Sequence, residues 1–274
     1  MTDSLEIFNL KGKTVLVTGA AGLIGSEACR AFYSAGAIVA AADVLSPEEI
    51  ERAIDVSAFE ESTSEAFRVD VTDRDSVVEL VSSVVNKFGA IDVLVHLAAI
   101  DAKFDDESPD GAMDRFENFP RELWSKSVEV NFTGTFNVTQ TVCKQMLQQG
   151  FGNVILTAST YSLVAPNNDL YRAAGAPEMV KPVDYVATKS FIPNFTRYLA
   201  THYAGAGIRA NCIVPHGVEN ENPQWFKDNF AKMSPLRRMA SVSELSGPLI
   251  FLASDASSYM TGSSLVVDGG WTAW

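Results

Sequence analysis

The sequence predicts a three-layer α/β domain built on a doubly wound, seven-stranded parallel sheet. Three observations carry that expectation. Short β-branched runs alternate along the chain with longer helical patterns, the signature of βαβ units. The strand candidates read as nearly continuous apolar runs, as parallel strands covered on both faces do. The 274 residues, 47% hydrophobic and 20% charged, suit one large α/β domain with a substantial core. No repeat or low-complexity linker interrupts them, so residues 1–274 read as a single domain.

Thr14–Thr18 is the first strand and a helix follows over Leu23–Ser34. Ile38–Ala42 and Phe67–Val69 are the second and third strands. The segment Asp73–Phe88 is helical, with Val77, Leu80, Val81, Val84 and Val85 on one face. Ile91–Val95 is the fourth strand, and Arg121–Gln149 reads as one long helix. Asn153–Ala158, Arg209–Val214 and Ser264–Val267 complete the seven. In open sheets of this kind, ligands bind beyond the carboxyl ends of the strands.

Charge removes two classes of partner. Twenty-one basic against 34 acidic residues leave −13, whereas nucleic-acid backbones and anionic membrane surfaces both call for a basic face. The apolar runs are too short for a bilayer-spanning helix, which needs ~20 residues. Met1–Lys13 lacks a basic-then-apolar pattern, so no signal peptide is expected and the cytoplasm is the default compartment. The three cysteines, Cys29, Cys143 and Cys212, form no CxxC or Cys/His cluster, so buried reduced thiols are expected and a metal site is not.

The first strand runs into Thr18-Gly19-Ala20-Ala21-Gly22-Leu23-Ile24-Gly25. Glycine at 19, 22 and 25 lets the backbone turn tightly and approach a pyrophosphate. The first residues of the new helix, Leu23, Ile24 and Gly25, offer unpaired N–H groups and a positive dipole end. Asp43 ends the second strand, 18 positions after Gly25. A carboxylate there accepts bonds from ribose hydroxyls and repels a 2′-phosphate, so NAD is favoured over NADP; the other reading is a solvated loop aspartate. Asp70 and Val71 follow the third strand, where Asp70 suits an adenine amino group and Asp73 the cap of the next helix. His96-Leu97-Ala98-Ala99 follows the fourth, with Ala98 and Ala99 small enough for a cofactor to lie against the backbone. His96 reads as a structural hydrogen-bonding histidine.

Tyr185-Val186-Ala187-Thr188-Lys189 places a phenol and an ammonium one helical turn apart on one face. A free tyrosine titrates near 10 and is a poor base at neutral pH unless a cation stabilises its phenolate, which Lys189 supplies. Ser159, ending the fifth strand, is placed to polarise a substrate oxygen. Asn131 is placed to hold a water that relays protons to Lys189.

With these motifs in this order, the chain resembles the short-chain dehydrogenase/reductase family from Lys13 to Gly270, in its single-domain branch. The resemblance implies a Rossmann sheet and a tetrad falling on Asn131, Ser159, Tyr185 and Lys189. It also implies a nicotinamide cofactor and a homodimer or homotetramer. Pro235-Leu236-Arg237-Arg238, Thr261-Gly262 and Val267-Asp268-Gly269-Gly270 fit that branch. The implied activity is NAD-dependent interconversion of a secondary alcohol and a ketone, on a sugar or sugar derivative. Two other functions stay open: a nucleotide-sugar epimerase or dehydratase with tightly bound NAD, and a non-catalytic dinucleotide-binding protein.

Departures from the family pattern are informative. The Gly-x-x-Gly-x-x-Gly turn and His96-Leu97-Ala98-Ala99 are similar to the extended branch, whose larger substrate domain has no counterpart here. Ser159 precedes Tyr185 by 26 residues, about twice the usual interval, which places an added substrate loop within 163–184. Pro215-His216-Gly217-Val218 replaces the usual Pro-Gly, with Val218 expected to meet the carboxamide through its backbone. The loop and the Gly270-Trp271-Thr272-Ala273-Trp274 ending resemble oxidoreductases of flagellin modification and nonulosonic-acid pathways. Tyr171, Arg172 and Lys181, with Lys103 and His216, form either a basic cluster for a phosphorylated or carboxylated sugar or ordinary solvated side chains. Trp271 and Trp274 are expected against a partner subunit, and Pro193 is expected to kink the helix bearing Tyr185.

Overall fold

The computed structural model describes residues 5–55, 63–101, 115–172 and 179–274. Seven parallel strands lie in the order β3-β2-β1-β4-β5-β6-β7. They are β1 Thr14–Thr18, β2 Ile38–Asp43, β3 Ser64–Arg68, β4 Val93–His96, β5 Gly152–Thr157, β6 Ile208–Pro215 and β7 Ser264–Val267. The order reverses between β1 and β4, which pair from Val15↔Val93 to Thr18↔His96. That switch point opens a crevice at the carboxyl edge.

Side chains alternate across the sheet and so build two cores. Leu16, Leu94, Val154 and Cys212 face α3 Arg74–Phe88, α5 Gly134–Gln149 and α7 Ile192–Tyr203. Val15, Val17, Val95 and Ile155 face α1 Leu23–Ser34, α2 Pro47–Ile54 and α9 Ser246–Ala253. All three cysteines are buried thiols within these cores, and burial pushes Cys29 and Cys143 up to about 12. Among the described residues, no helix is long and apolar enough to cross a membrane.

Three local expectations are corrected. The third strand is Ser64–Arg68 rather than Phe67–Val69, because this edge strand is partly polar and has a weak apolar signature. The helical run from Arg121 divides into α4 Arg121–Ser127, a π-helical segment Val128–Thr133 and α5. The helix bearing Tyr185 ends instead of kinking: α6 Val183–Ser190 stops at Phe191, and Pro193 sits in the first turn of α7, where a missing N–H leaves no bond unmade.

A small third core lies off the sheet. Leu170, Tyr171, Phe230, Met239 and Trp271 pack together, with Met179, Phe226 and Met233 against them. It joins the added loop to α8 Gln224–Met233 and the C-terminal turn. Trp271 is therefore buried within its own subunit, on Phe230 at 5.0 Å and His216 at 4.4 Å between ring centroids, while Trp274 is exposed.

Candidate active site

Two hollows meet at the switch point. One, of about 600 Å³, is lined by Asp43, Asp70, Val71, Ala98 and Ala99. The other, of about 560 Å³, runs from Gly22–Gly25 past Ser159, Tyr185 and Lys189 to His216 and Val218. Gly19 and Ala99 line both, so the two are continuous.

The turn is closed by backbone contact. A Cβ on Gly19 would lie 2.6 Å from the Ala98 nitrogen, and one on Gly25 would lie 2.0 Å from the Gly19 oxygen. Neighbouring helices are capped by side chains, α2 by Ser46 and α3 by Asp73. By contrast, α1 begins at Gly22 with no side-chain cap and no acid in its first turn. Its N–H groups open on the crevice, as a bound diphosphate requires. Asp43 accepts bonds from the Ala21 N–H at 3.0 Å and the Val44 N–H at 2.8 Å, which fix it beside the turn. Asp70 accepts from the Thr72 N–H and hydroxyl at 2.9 and 2.7 Å. These features fit a dinucleotide: the start of α1 would hold its phosphates, and Asp43 and Asp70 would hold its adenosine.

Ser159, Tyr185 and Lys189 all line the second hollow; Ser159 and Lys189 are buried and Tyr185 is half-buried. Burial and the Asp101 carboxylate raise the Tyr185 phenol above its ordinary value, and a hydrogen bond with Ser159 opposes them. Lys189 donates to the Thr157 carbonyl at 3.0 Å, and burial lowers it to about 8. Asn131 stands behind the hollow rather than in it. Its amide donates to the Ile100 carbonyl at 2.8 Å and accepts from the Ile100 N–H at 2.7 Å. It also donates to the Thr188 hydroxyl at 3.1 Å, which ties the π-helical segment to α6 beside Lys189. His96 is structural, bonded to Thr18 at 2.7 Å and Thr135 at 3.0 Å, and burial lowers it to about 3. Val218 sits in a bridge to Ala240 that uses the Gly217 carbonyl and the Glu219 N–H, not the polar groups of Val218 itself.

The substrate end departs from a basic cluster. Arg172 is exposed and paired with Asp169. Lys181 is paired with Asp101, and Tyr171 is buried with its hydroxyl 2.7 Å from that of Tyr161. His216 meets the Thr160 hydroxyl at 2.5 Å, and burial lowers it to about 4. Lys103 lies outside the described residues. Sequence reasoning missed Asp101, which carries no motif, and Arg68, which the β2–β3 register sets beside Asp43. Arg68 donates to the Val44 carbonyl at 3.2 Å. It also missed Asn137, whose amide donates to the Val71 carbonyl at 3.0 Å and holds the loop after β3.

Comparison with known proteins identifies the family. A family model described as enoyl-(acyl carrier protein) reductase matches residues 19–272. The 3-oxoacyl-[acyl-carrier-protein] reductase FabG of Thermotoga maritima is 32% identical, over 95% of this chain and 98% of its own. D-Threitol dehydrogenase of Mycolicibacterium smegmatis is 32% identical over 99% of each chain. The crystal structure of a gluconate 5-dehydrogenase from Burkholderia cenocepacia in complex with NADP and tartrate superposes with a TM-score of 0.83. It is 29% identical and is covered over 100% of its chain and 99% of this one. The chain belongs to the short-chain dehydrogenase/reductase family.

Proposed function

We propose that the protein is an NAD-dependent oxidoreductase that interconverts a secondary alcohol and a ketone on a sugar or polyol. The observation that carries this reading is one continuous crevice joining the uncapped start of α1 to Ser159, Tyr185 and Lys189. A bound nicotinamide supplies the hydride acceptor. Tyr185 takes the hydroxyl proton, Ser159 orients and polarises the reacting oxygen, and Lys189 adds positive charge on the same helix face. Asn131 is a positioning residue, holding Ile100 at the crevice wall and Thr188 on α6. The dehydrogenase names of the relatives, D-threitol dehydrogenase among them, support a polyhydroxyl substrate. Asp43 supports NAD over NADP, because a carboxylate at the end of the second strand accepts ribose hydroxyls and repels a 2′-phosphate. The reading includes assembly as a homodimer or homotetramer, which sedimentation would measure.

The test is Tyr185→Phe. Turnover of polyols, followed by reduced-cofactor absorbance, should fall by about 10²–10⁴-fold, as loss of a general base does. NADH binding should stay within a few-fold of wild type. A Tyr185→Phe enzyme that keeps its turnover would overturn the assignment.

A further inference from the structure

We infer that Asp101 and Lys181 form a hydroxyl-binding subsite beside Tyr185 that accepts uncharged polyols and turns away carboxylated or phosphorylated sugars. The inference rests on the alcohol-oxidation reading above and deepens it to a substrate class.

Lys181 comes from the added loop, and its side chain is only 8% exposed. An ammonium has three donors. Two meet the Asp101 carboxylate, at 2.8 Å from Oδ1 and 2.6 Å from Oδ2. The rest of the ammonium lies over the Tyr185 ring, 3.9 Å from its centroid, as a cation–π contact. Its charge is thus matched by a carboxylate and its donors are occupied. A phosphate arriving here would have to displace Asp101 to be recognised.

Asp101 is different. Its side chain is 47% exposed and lines the crevice. Two carboxylate oxygens offer about four lone-pair positions, and Lys181 occupies two. What the pair presents to the crevice is acceptor capacity, which suits two adjacent hydroxyls and offers an anion no free donor. The described charged side chains lining the second hollow are Asp101, Lys181 and Lys189. Lys189 is held inward on the Thr157 carbonyl, and His216 is kept towards its neutral form by burial. None of these groups stands free to balance a second negative charge near Asp101.

The test compares C4 to C6 alditols with their aldonates and terminal phosphates, measuring kcat/KM by NADH formation. Wild type should prefer each neutral polyol over its matched anion by about tenfold or more, the scale of one partly screened like-charge contact. Asp101→Asn keeps the size and releases Lys181, so the anion-to-neutral ratio should rise about tenfold, mostly through KM. Lys181→Met leaves Asp101 unpaired and should move the ratio the other way. NADH affinity of each variant reports whether it is folded. A wild-type preference for the anions would overturn the inference. So would a ratio within twofold of wild type in folded Asp101→Asn or, if that variant does not fold, in Lys181→Met. Polyol turnover with an indifferent ratio rejects the subsite alone, whereas no turnover across the panel with NAD or NADP rejects the alcohol-oxidation reading with it.

Discussion

Replacing Gly25 with alanine tests the cofactor cradle where it is tightest. The new Cβ would stand 2.0 Å from the Gly19 oxygen, 2.8 Å from the Gly19 carbonyl carbon and 2.9 Å from the Ala20 Cα. All three are backbone atoms, so no flexible side chain can swing away. Relief to even 3.0 Å requires the turn and the start of α1 to separate by about 1 Å, since such overlap is not tolerated in close-packed protein. Overpacking of this kind costs about 1–3 kcal/mol, and the helix propensity of alanine returns about 1 kcal/mol. Net stability should therefore fall by about 0–2 kcal/mol. Binding suffers more. A separation of about 1 Å stretches a hydrogen bond beyond its useful range, and one bond to a charged phosphate contributes about 1.5–3 kcal/mol. The Kd for NADH, from fluorescence titration, should rise about 10–100-fold, while a thermal melt shows the fold retained. Gly247→Ala is the control: nothing lies within 4 Å of its Cβ, so NADH affinity should not change. A folded Gly25→Ala protein binding NADH within threefold of wild type would refute the steric reasoning.

The proposed preference for NAD rests on Asp43. A charge near −2 about 5 Å from a carboxylate in water's dielectric is repelled by about 1.7 kcal/mol. Asp43→Asn should therefore raise the NADP-to-NAD ratio of kcat/KM roughly tenfold, with Arg68 left beside it; a wild-type preference for NADP, or an unmoved ratio, contradicts this. Stability should decline in mild acid. His96 and His216 are lowered to about 3 and about 4 by burial, so the unfolded chain binds protons that the folded one refuses below about 6.5. Each removes about 1.4 kcal/mol per pH unit between its unfolded and folded values, or about 3 kcal/mol per unit together near pH 5. Urea midpoints at pH 7, 6 and 5 measure the slope, His216→Gln should keep about half of it, and a flat profile would contradict the burial of both rings.

Much of the fold was legible because the burial pattern is strong where it matters. Thr14–Thr18 and Leu23–Ser34 were read to the residue, because a fully buried strand and a glycine-opened helix leave clear marks. The partly polar edge strand Ser64–Arg68 blurred, since exposure weakens the apolar run. The π-helical turn around Asn131 was invisible: one extra residue in a helix changes hydrogen bonding, not composition. The placement of Ser159, Tyr185 and Lys189 in one crevice follows from strand ends and a four-residue helical spacing, both readable in one dimension. Asp101 and Lys181 stand 80 positions apart, and Trp271 meets His216 across 55; only folding brings such pairs together. A count of basic residues in the added loop therefore left two readings open, because it cannot show that Arg172 meets Asp169 and Lys181 meets Asp101.

The small core of Leu170, Tyr171, Phe230, Met239 and Trp271 shares no member with either core of the sheet. A change of residue there reshapes the substrate wall without entering the cores that pack the sheet against α1. Selection can thus retune what the enzyme accepts while the sheet keeps its packing, and a library confined to these five positions would search substrate range at little risk to the scaffold.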